Sequence, residues 1–115
     1  HDLRIGFSAS EDERLPPLVE TALFRIVQEA VNNVVKHADA RRVEVTLDRT
    51  NSLAALGVTD DGRGFDPEEP RSGQHLGLWS MRERVEQLGG RFELESGPGQ
   101  GTVLKAWLPV NTGED

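Results

Sequence analysis

Positions 29–37 read EAVNNVVKH, and three of these residues could do chemistry together. At about 100° per residue on a helix, Glu29, Asn33 and Lys36 fall within roughly 60° of one another, a polar ridge beside an apolar stripe. A glutamate and an asparagine one turn apart can offer oxygens to a hydrated hard cation such as Mg²⁺, which keeps several waters and leans on few protein ligands. Lys36 would then balance phosphate charge. The same spacing suits a plain solvated helix flank, so the ridge alone decides nothing. His37 ends the apolar stripe, where core packing or helix-end capping explains it as well as ligand contact does.

A second constellation starts at Asp60. Strand alternation puts Leu56, Val58 and Asp60 on one face, so the carboxylate extends an inward-pointing apolar row. Such a site is costly for a charge. It becomes useful if the carboxylate accepts a hydrogen bond from an uncharged donor such as the amine on an adenine edge. Asp61-Gly62-Arg63-Gly64 then turns sharply, and its two glycines let backbone approach a flat ligand, although ordinary turns use glycine too. The segment 73–77, GQHLG, stands just before a helical pattern, where free N–H groups and the helix dipole could receive phosphate oxygens. It lacks the GKS or GKT of a P-loop, and DDGRGF lacks the strand-turn-helix setting of a dinucleotide fingerprint. Finally, GPGQG at 97–101 turns into a strand whose first residue, Thr102, could reach a bound base through water.

These residues need elements to position them. Residues 3–7 alternate as an edge strand, followed by a polar loop and by Pro16-Pro17, which suits the first turn of a helix. Apolar residues from Val19 to Val34 recur at helical spacing and predict a helix over 16–38. Alternation at 43–47 and 53–60 predicts an antiparallel hairpin, LWSMRERVEQL at 78–88 a second helix ended by Gly89-Gly90, and 91–96 with 102–108 a closing hairpin. The order implies an α+β two-layer sandwich, two helices over one face of a mixed, about five-stranded sheet.

Composition narrows the function classes. The 115 residues fit one domain, 1–115. A formal charge of -7 leaves no positive surplus for a nucleic-acid backbone. With no cysteine, disulfides, thiolate catalysis and thiolate metal sites are excluded, and a cytoplasmic setting is expected. No stretch approaches the roughly 18 to 20 apolar residues of a membrane span, so this piece is expected to be soluble whatever its parent is.

Taken in order, ALFRIVQEAVNNVVKHA, VTDDGRGF, GLWSMRERVEQLGG and GPGQGT closely resemble the catalytic domain of sensor histidine kinases over nearly the whole chain. The resemblance implies the Bergerat ATP-binding fold, with ATP between the helices under a mobile lid. It implies Asn33 as the Mg²⁺ ligand, Glu29 as the residue that orients metal-bound water or assists transfer, and Lys36 and His37 as phosphate-side contacts. Asp60 would accept the adenine amine, Gly62 and Gly64 shape the adenine pocket and lid start, and Gly77 with Leu78 form the phosphate-side helix start. Thr102 would contact adenine through water, and Asn32 would be a surface or lid contact.

One departure is His75-Leu76, where the family often has a second glycine before the GL pair. The short stretch 65–76 between the glycine boxes resembles short-lid kinases that usually signal to DNA-binding response regulators. The implied activity is transfer of the γ-phosphoryl group of Mg-ATP to a histidine on a separate dimerisation domain. His1-Asp2 mimics an acceptor dipeptide but precedes a strand pattern, so the chain is expected to be half an enzyme, inactive in autophosphorylation by itself. Rival readings are a related anti-sigma-factor serine kinase, which the MRERVEQLGG helix disfavours, and a nucleotide-gated binding module.

Overall fold

The computed structural model describes residues 3–9, 15–50, 52–64 and 73–110, without the side chains of 37, 38 and 73–76. Strand β1 (Arg4–Ala9) leads to helix α1 (Pro17–Asn33), which continues as a π-helical turn over Val34–Ala38. Strands β2 (Arg42–Arg49) and β3 (Leu53–Asp60) follow, then helix α2 (Gly73–Gln87) and strands β4 (Arg91–Ser96) and β5 (Thr102–Pro109).

Pro17 opens α1 because its missing N–H sits where a helix has no partner to offer. The apolar stripe then buries Val19, Ala22, Leu23, Ile26 and Ala30. Ile26 is wholly enclosed, and trimming it to alanine would cost about 2 to 5 kcal/mol. The alternation in the strands sends Val43 and Val45, Ala54, Leu56 and Val58, and Leu104, Ala106 and Leu108 to the same layer. From α2, Leu78, Met81 and Val85 close that layer.

The sheet order is β1-β2-β3-β5-β4. Only β1 and β2 run parallel, joined through α1, and every other pair is antiparallel. The fold is therefore the expected two-layer α+β sandwich, with helices on one face of a mixed five-stranded sheet. The last strand does not take the edge: β5 inserts between β3 and β4, which puts it against the strand that ends in Asp60.

Two local differences from the sequence reading matter. The helix predicted over 16–38 is regular only to Asn33, and its last turn is π-helical, closed by Asp39 at φ 52°. The 100° wheel therefore stops short of Lys36, and the wider turn resets its direction. Helix α2 starts at Gly73, so 73–76 form its first turn instead of a loop ahead of it. One internal glycine costs only about 1 kcal/mol relative to alanine, too little for Gly77 to stop the helix. At the other end Gly89, at φ 81°, terminates α2, with the N–H of Gly89 on the Glu86 carbonyl and that of Gly90 on the Val85 carbonyl. Among the described residues no helix is long and apolar enough to cross a membrane.

Candidate functional site

Asp60 is the one buried charged residue among those described. It ends the apolar row Ala54, Leu56, Val58, and alternation alone carries it inward. The N–H of Gly62 donates to its Oδ1 at 2.8 Å, folding the chain back directly after the strand. Removal from water pushes its pKa up, the Gly62 hydrogen bond opposes that shift, and the neighbouring charge of Asp61 adds to it. Asp61 behaves oppositely: its Oδ1 accepts the N–H groups of Arg42 and Arg41, which lower its pKa and tie the β3 end to the start of β2.

Two glycine loops lock together around this carboxylate. Gly64 sits at φ 67°, and a side chain there would overlap the carbonyl oxygen of Gly97. Gly101, at φ 71°, lies so close to the carbonyl oxygen of Asp60 that it too has no room for a Cβ. The Gly99 N–H donates to the Arg63 carbonyl across the same seam. Backbone therefore packs on backbone between 62–64 and 97–101, an approach open only to glycine.

Across the β3–β5 ladder, Asp60 pairs directly with Thr102. Thr102 is half-buried, and its Oγ1 lies 2.9 Å from Ser96 Oγ, which donates to the Gly101 carbonyl. With the Ser96 proton committed there, the proton between the two hydroxyls comes from Thr102. That leaves the Thr102 oxygen able to accept from water or a ligand.

The polar ridge forms a second group. Glu29 and Asn33 are half-buried and Lys36 is exposed. Glu29 Oε2 occupies the space a Cβ at Gly77 would need, so α1 and α2 touch through a carboxylate laid on a glycine. Leu78 is buried in the core. As the fifth and sixth residues of α2, Gly77 and Leu78 have their N–H groups within the helical ladder; the free N–H groups of the first turn belong to 73–76. This corrects the expectation that Gly77 and Leu78 form the helix start. The backbone of His37 lies in the π turn and that of His75 in α2, while their side chains, like His1 and Asp2, fall outside the described residues.

Among the described residues no cluster of three or more His, Cys, Asp or Glu side chains could cage a metal. One carboxylate and one amide are instead the sparse donor set that suits Mg²⁺ bound chiefly by water and phosphates.

Residues 18–112 match the family model described as histidine kinase-, DNA gyrase B- and HSP90-like ATPase. The chain belongs to this ATPase family. Its relatives within the family include signal transduction histidine kinases. It is 38% identical over 104 residues to the signal transduction histidine-protein kinase/phosphatase DegS of Bacillus subtilis (strain 168), covering 89% of this chain and 27% of that protein. It is 40% identical over 102 residues to DegS of Brevibacillus brevis, covering 89% and 26%. The chain thus spans about a quarter of the length of these relatives. The histidine kinase domain of the Erythrobacter litoralis EL346 blue-light activated histidine kinase superposes with a TM-score of 0.68 at 26% identity, covering 92% of this chain and 52% of that one. The histidine kinase ThkA catalytic domain shares the fold, with a TM-score of 0.67 at 19% identity over 94% of this chain and 78% of that one. The chain is an ATP-binding catalytic domain of the sensor histidine kinase type.

Sequence reasoning missed two residues that shape this candidate site. Ser96 could have been found from the hairpin, because a loop over 97–101 makes Ser96 and Thr102 its first pair. Asp61 read only as part of a turn, since nothing in its local sequence reveals that the β2 amides lie within its reach.

Proposed function

We propose that this domain, 1–115, binds Mg-ATP and donates the γ-phosphoryl group to a histidine on a separate dimerisation and phosphoacceptor domain of its parent protein, in a two-component phosphorelay that passes the group to a response regulator. The observation that carries the reading is Asp60: a buried carboxylate that, among the described residues, has only the Gly62 N–H on one oxygen, beside backbone that glycine alone permits. Such a group suits the exocyclic amine of adenine, a neutral donor that leaves the carboxylate ionised.

In this reading Gly62 and Gly64 shape the adenine pocket and Thr102 accepts a water that bridges to the base. Asn33 would hold Mg²⁺ against the phosphates, and Lys36 and His37 face the phosphate side together with α2, where Gly77 and Leu78 lie in the second turn behind the free N–H groups of 73–76. When bound, Mg²⁺ neutralises phosphate charge. Glu29 orients metal-bound water or assists the transfer, and its seat on Gly77 holds it in place. The domain works on the cytoplasmic side, with no nucleic-acid partner and no membrane insertion of its own.

The deciding experiment supplies radiolabelled ATP and Mg²⁺ to the chain, alone and with its cognate dimerisation domain. Alone it forms no acid-labile phosphohistidine, because in-line attack needs an acceptor nitrogen positioned at the γ-phosphate. With the partner it labels a histidine slowly, since separation forfeits the effective concentration of a covalent link. Labelled serine on a partner would establish the anti-sigma-factor type of kinase, and ATP binding without any transfer the nucleotide-gated module. Labelling of the chain at His1, His37 or His75 overturns the half-enzyme reading.

A further inference from the structure

Asp60, Thr102 and Ser96 stand in one row across three neighbouring strands. Thr102 pairs with Asp60 on the β3 side and with Ser96 on the β4 side, so the three side chains share one face of the sheet. It is the inner face, since Asp60 is buried at the end of the row Ala54, Leu56, Val58. An ionised carboxylate only accepts hydrogen bonds, whereas each hydroxyl brings one proton. The directions of those two protons decide what the row presents to a base.

The direction is set from the far end. The Gly101 carbonyl can only accept, and its oxygen lies 2.9 Å from Ser96 Oγ. Its place is fixed, because Gly101, at φ 71°, packs on the Asp60 carbonyl with no room for a side chain. Ser96 therefore gives its proton to Gly101, and the 2.9 Å contact between the two hydroxyls takes the proton of Thr102. The opposite direction would leave Ser96 Oγ and the Gly101 oxygen facing each other with no proton between them. Thr102 thus donates toward β4, away from Asp60, and what it keeps for a ligand is lone pairs.

We propose that Ser96 is a positioning residue for base selection: by drawing the Thr102 proton to itself, it keeps the wall formed by Asp60 and Thr102 free of donors, so that adenine is accepted and a purine with a carbonyl in place of the amine is refused. This rests on the nucleotide reading and deepens it. The amine of adenine meets the carboxylate, and a bridging water can give one proton to Thr102 and the other to the unprotonated ring nitrogen beside the amine. Hypoxanthine reverses both positions. It turns an acceptor oxygen toward the carboxylate and an N–H toward the water, and no donor on the wall meets that oxygen. Discrimination of this kind comes from the group that the wrong ligand leaves unpaired. Without Ser96 the Thr102 hydroxyl is released to rotate, and its proton becomes the missing donor. Ser96 acts through Thr102 and takes no part in phosphoryl transfer.

Calorimetric titrations of ATP and ITP into the chain and its Ser96→Ala, Ser96→Thr and Thr102→Val variants test this, with melts to check that each one folds. Ser96→Cys, whose thiol is a weak donor and acceptor, serves beside Ser96→Ala with the same expectation. One hydrogen bond corresponds to a roughly three- to tenfold change in affinity. Ser96→Ala should therefore lower the preference for ATP over ITP about three- to tenfold, and Ser96→Thr, which keeps the hydroxyl, should retain it. Added to Thr102→Val, Ser96→Ala should leave the preference unchanged, because the group it acts through is gone. A serine that only braces the 97–101 loop would weaken both nucleotides alike, and an unmoved preference overturns the proposal. The same fall in preference with Thr102→Val already in place also overturns it. Both outcomes leave the nucleotide reading standing as long as Asp60→Asn weakens ATP. If Asp60→Asn binds ATP as the parent chain does, the adenine assignment fails and the role of Ser96 falls with it.

Discussion

Asp60 and Thr102 are cross-strand partners at the last position of the β3–β5 ladder, and beyond them the two chains leave the sheet into loops that interlock through Gly64, Gly97 and Gly101. The carboxylate and the hydroxyl are thus fixed relative to each other by the sheet and not by a flexible loop. The carboxylate is pinned on one oxygen by Gly62 and the hydroxyl by Ser96. Preorganisation of this kind lets a base bind without ordering its contacts first.

Asp60→Asn tests the acceptor directly. The amide oxygen can still take the Gly62 N–H, so the turn survives, but a charge-assisted acceptor is lost. ATP affinity should fall by about 1.5 to 3 kcal/mol, roughly ten- to hundredfold, in calorimetry. The melting temperature of the nucleotide-free chain should hold or rise, because a desolvated charge is removed. Equal ATP affinities for variant and parent would contradict the assignment.

The raised pKa of Asp60 gives a pH signature. Burial is its first cause, so the folded state binds the proton more tightly than the unfolded state does. Between the ordinary carboxylate value and the raised one, the contribution of Asp60 to stability therefore increases as pH falls. In the proposed reading ionised Asp60 accepts the adenine amine, so ATP affinity should decline over that window. Against Asp60→Asn, the stability deficit of the parent should close as pH drops, read from melts of both chains. Asp61 runs the other way: its pKa is lowered, and its stabilisation disappears only as pH falls through that lowered value.

Glycine substitutions separate strain from overlap. Gly99 and Gly101 both have positive φ, but nothing lies within 4 Å of a Cβ at Gly99, while one at Gly101 would strike the Asp60 carbonyl. Gly99→Ala should cost about 1 to 2 kcal/mol. Gly101→Ala adds the cost of overpacking, for a total on the order of 2 to 5 kcal/mol, and should also weaken ATP by displacing Asp60. Urea titrations of the two variants check the order.

Asn33→Ala should abolish the gain in ATP affinity that Mg²⁺ provides while leaving adenosine binding unchanged. Titrations with and without the metal decide it, and a full metal-dependent gain in the variant would remove Asn33 from the ligand role.

Most of the architecture was legible because period-two and 3.6-residue patterns leave strong traces: the strands, both helices and the inward turn of Asp60 follow from alternation. The start of α2 was hidden because residues 73–76 carry no apolar periodicity and two glycines suggested a loop. The reason Gly77 tolerates helix lies on another element, in the carboxylate of Glu29. The π turn is likewise silent in sequence, since Val34-Val35 fits a regular helix equally well. Asp60 beside Thr102 depended on β5 inserting between β3 and β4, a fact of strand order that local patterns do not contain.

That inserted strand also dictates when the site can exist during synthesis. Among the described strands β4 pairs only with β5, and β3 has β5 as its second neighbour, so a nascent chain that has not yet released Thr102–Pro109 holds a three-stranded sheet with β3 as an open edge and an unpaired β4. Closing them joins Leu53 to Pro109 and Asp60 to Thr102, contacts distant in sequence whose loop entropy is met before they are rewarded. In the proposed reading nucleotide cannot template the earlier steps, because Thr102 and the 97–101 loop follow the other elements of the pocket in the chain. The ribosome therefore delivers this domain without its Asp60–Thr102 pair until β5 has emerged, and the edges of β3 and β4 are where a stalled chain is most exposed to aggregation.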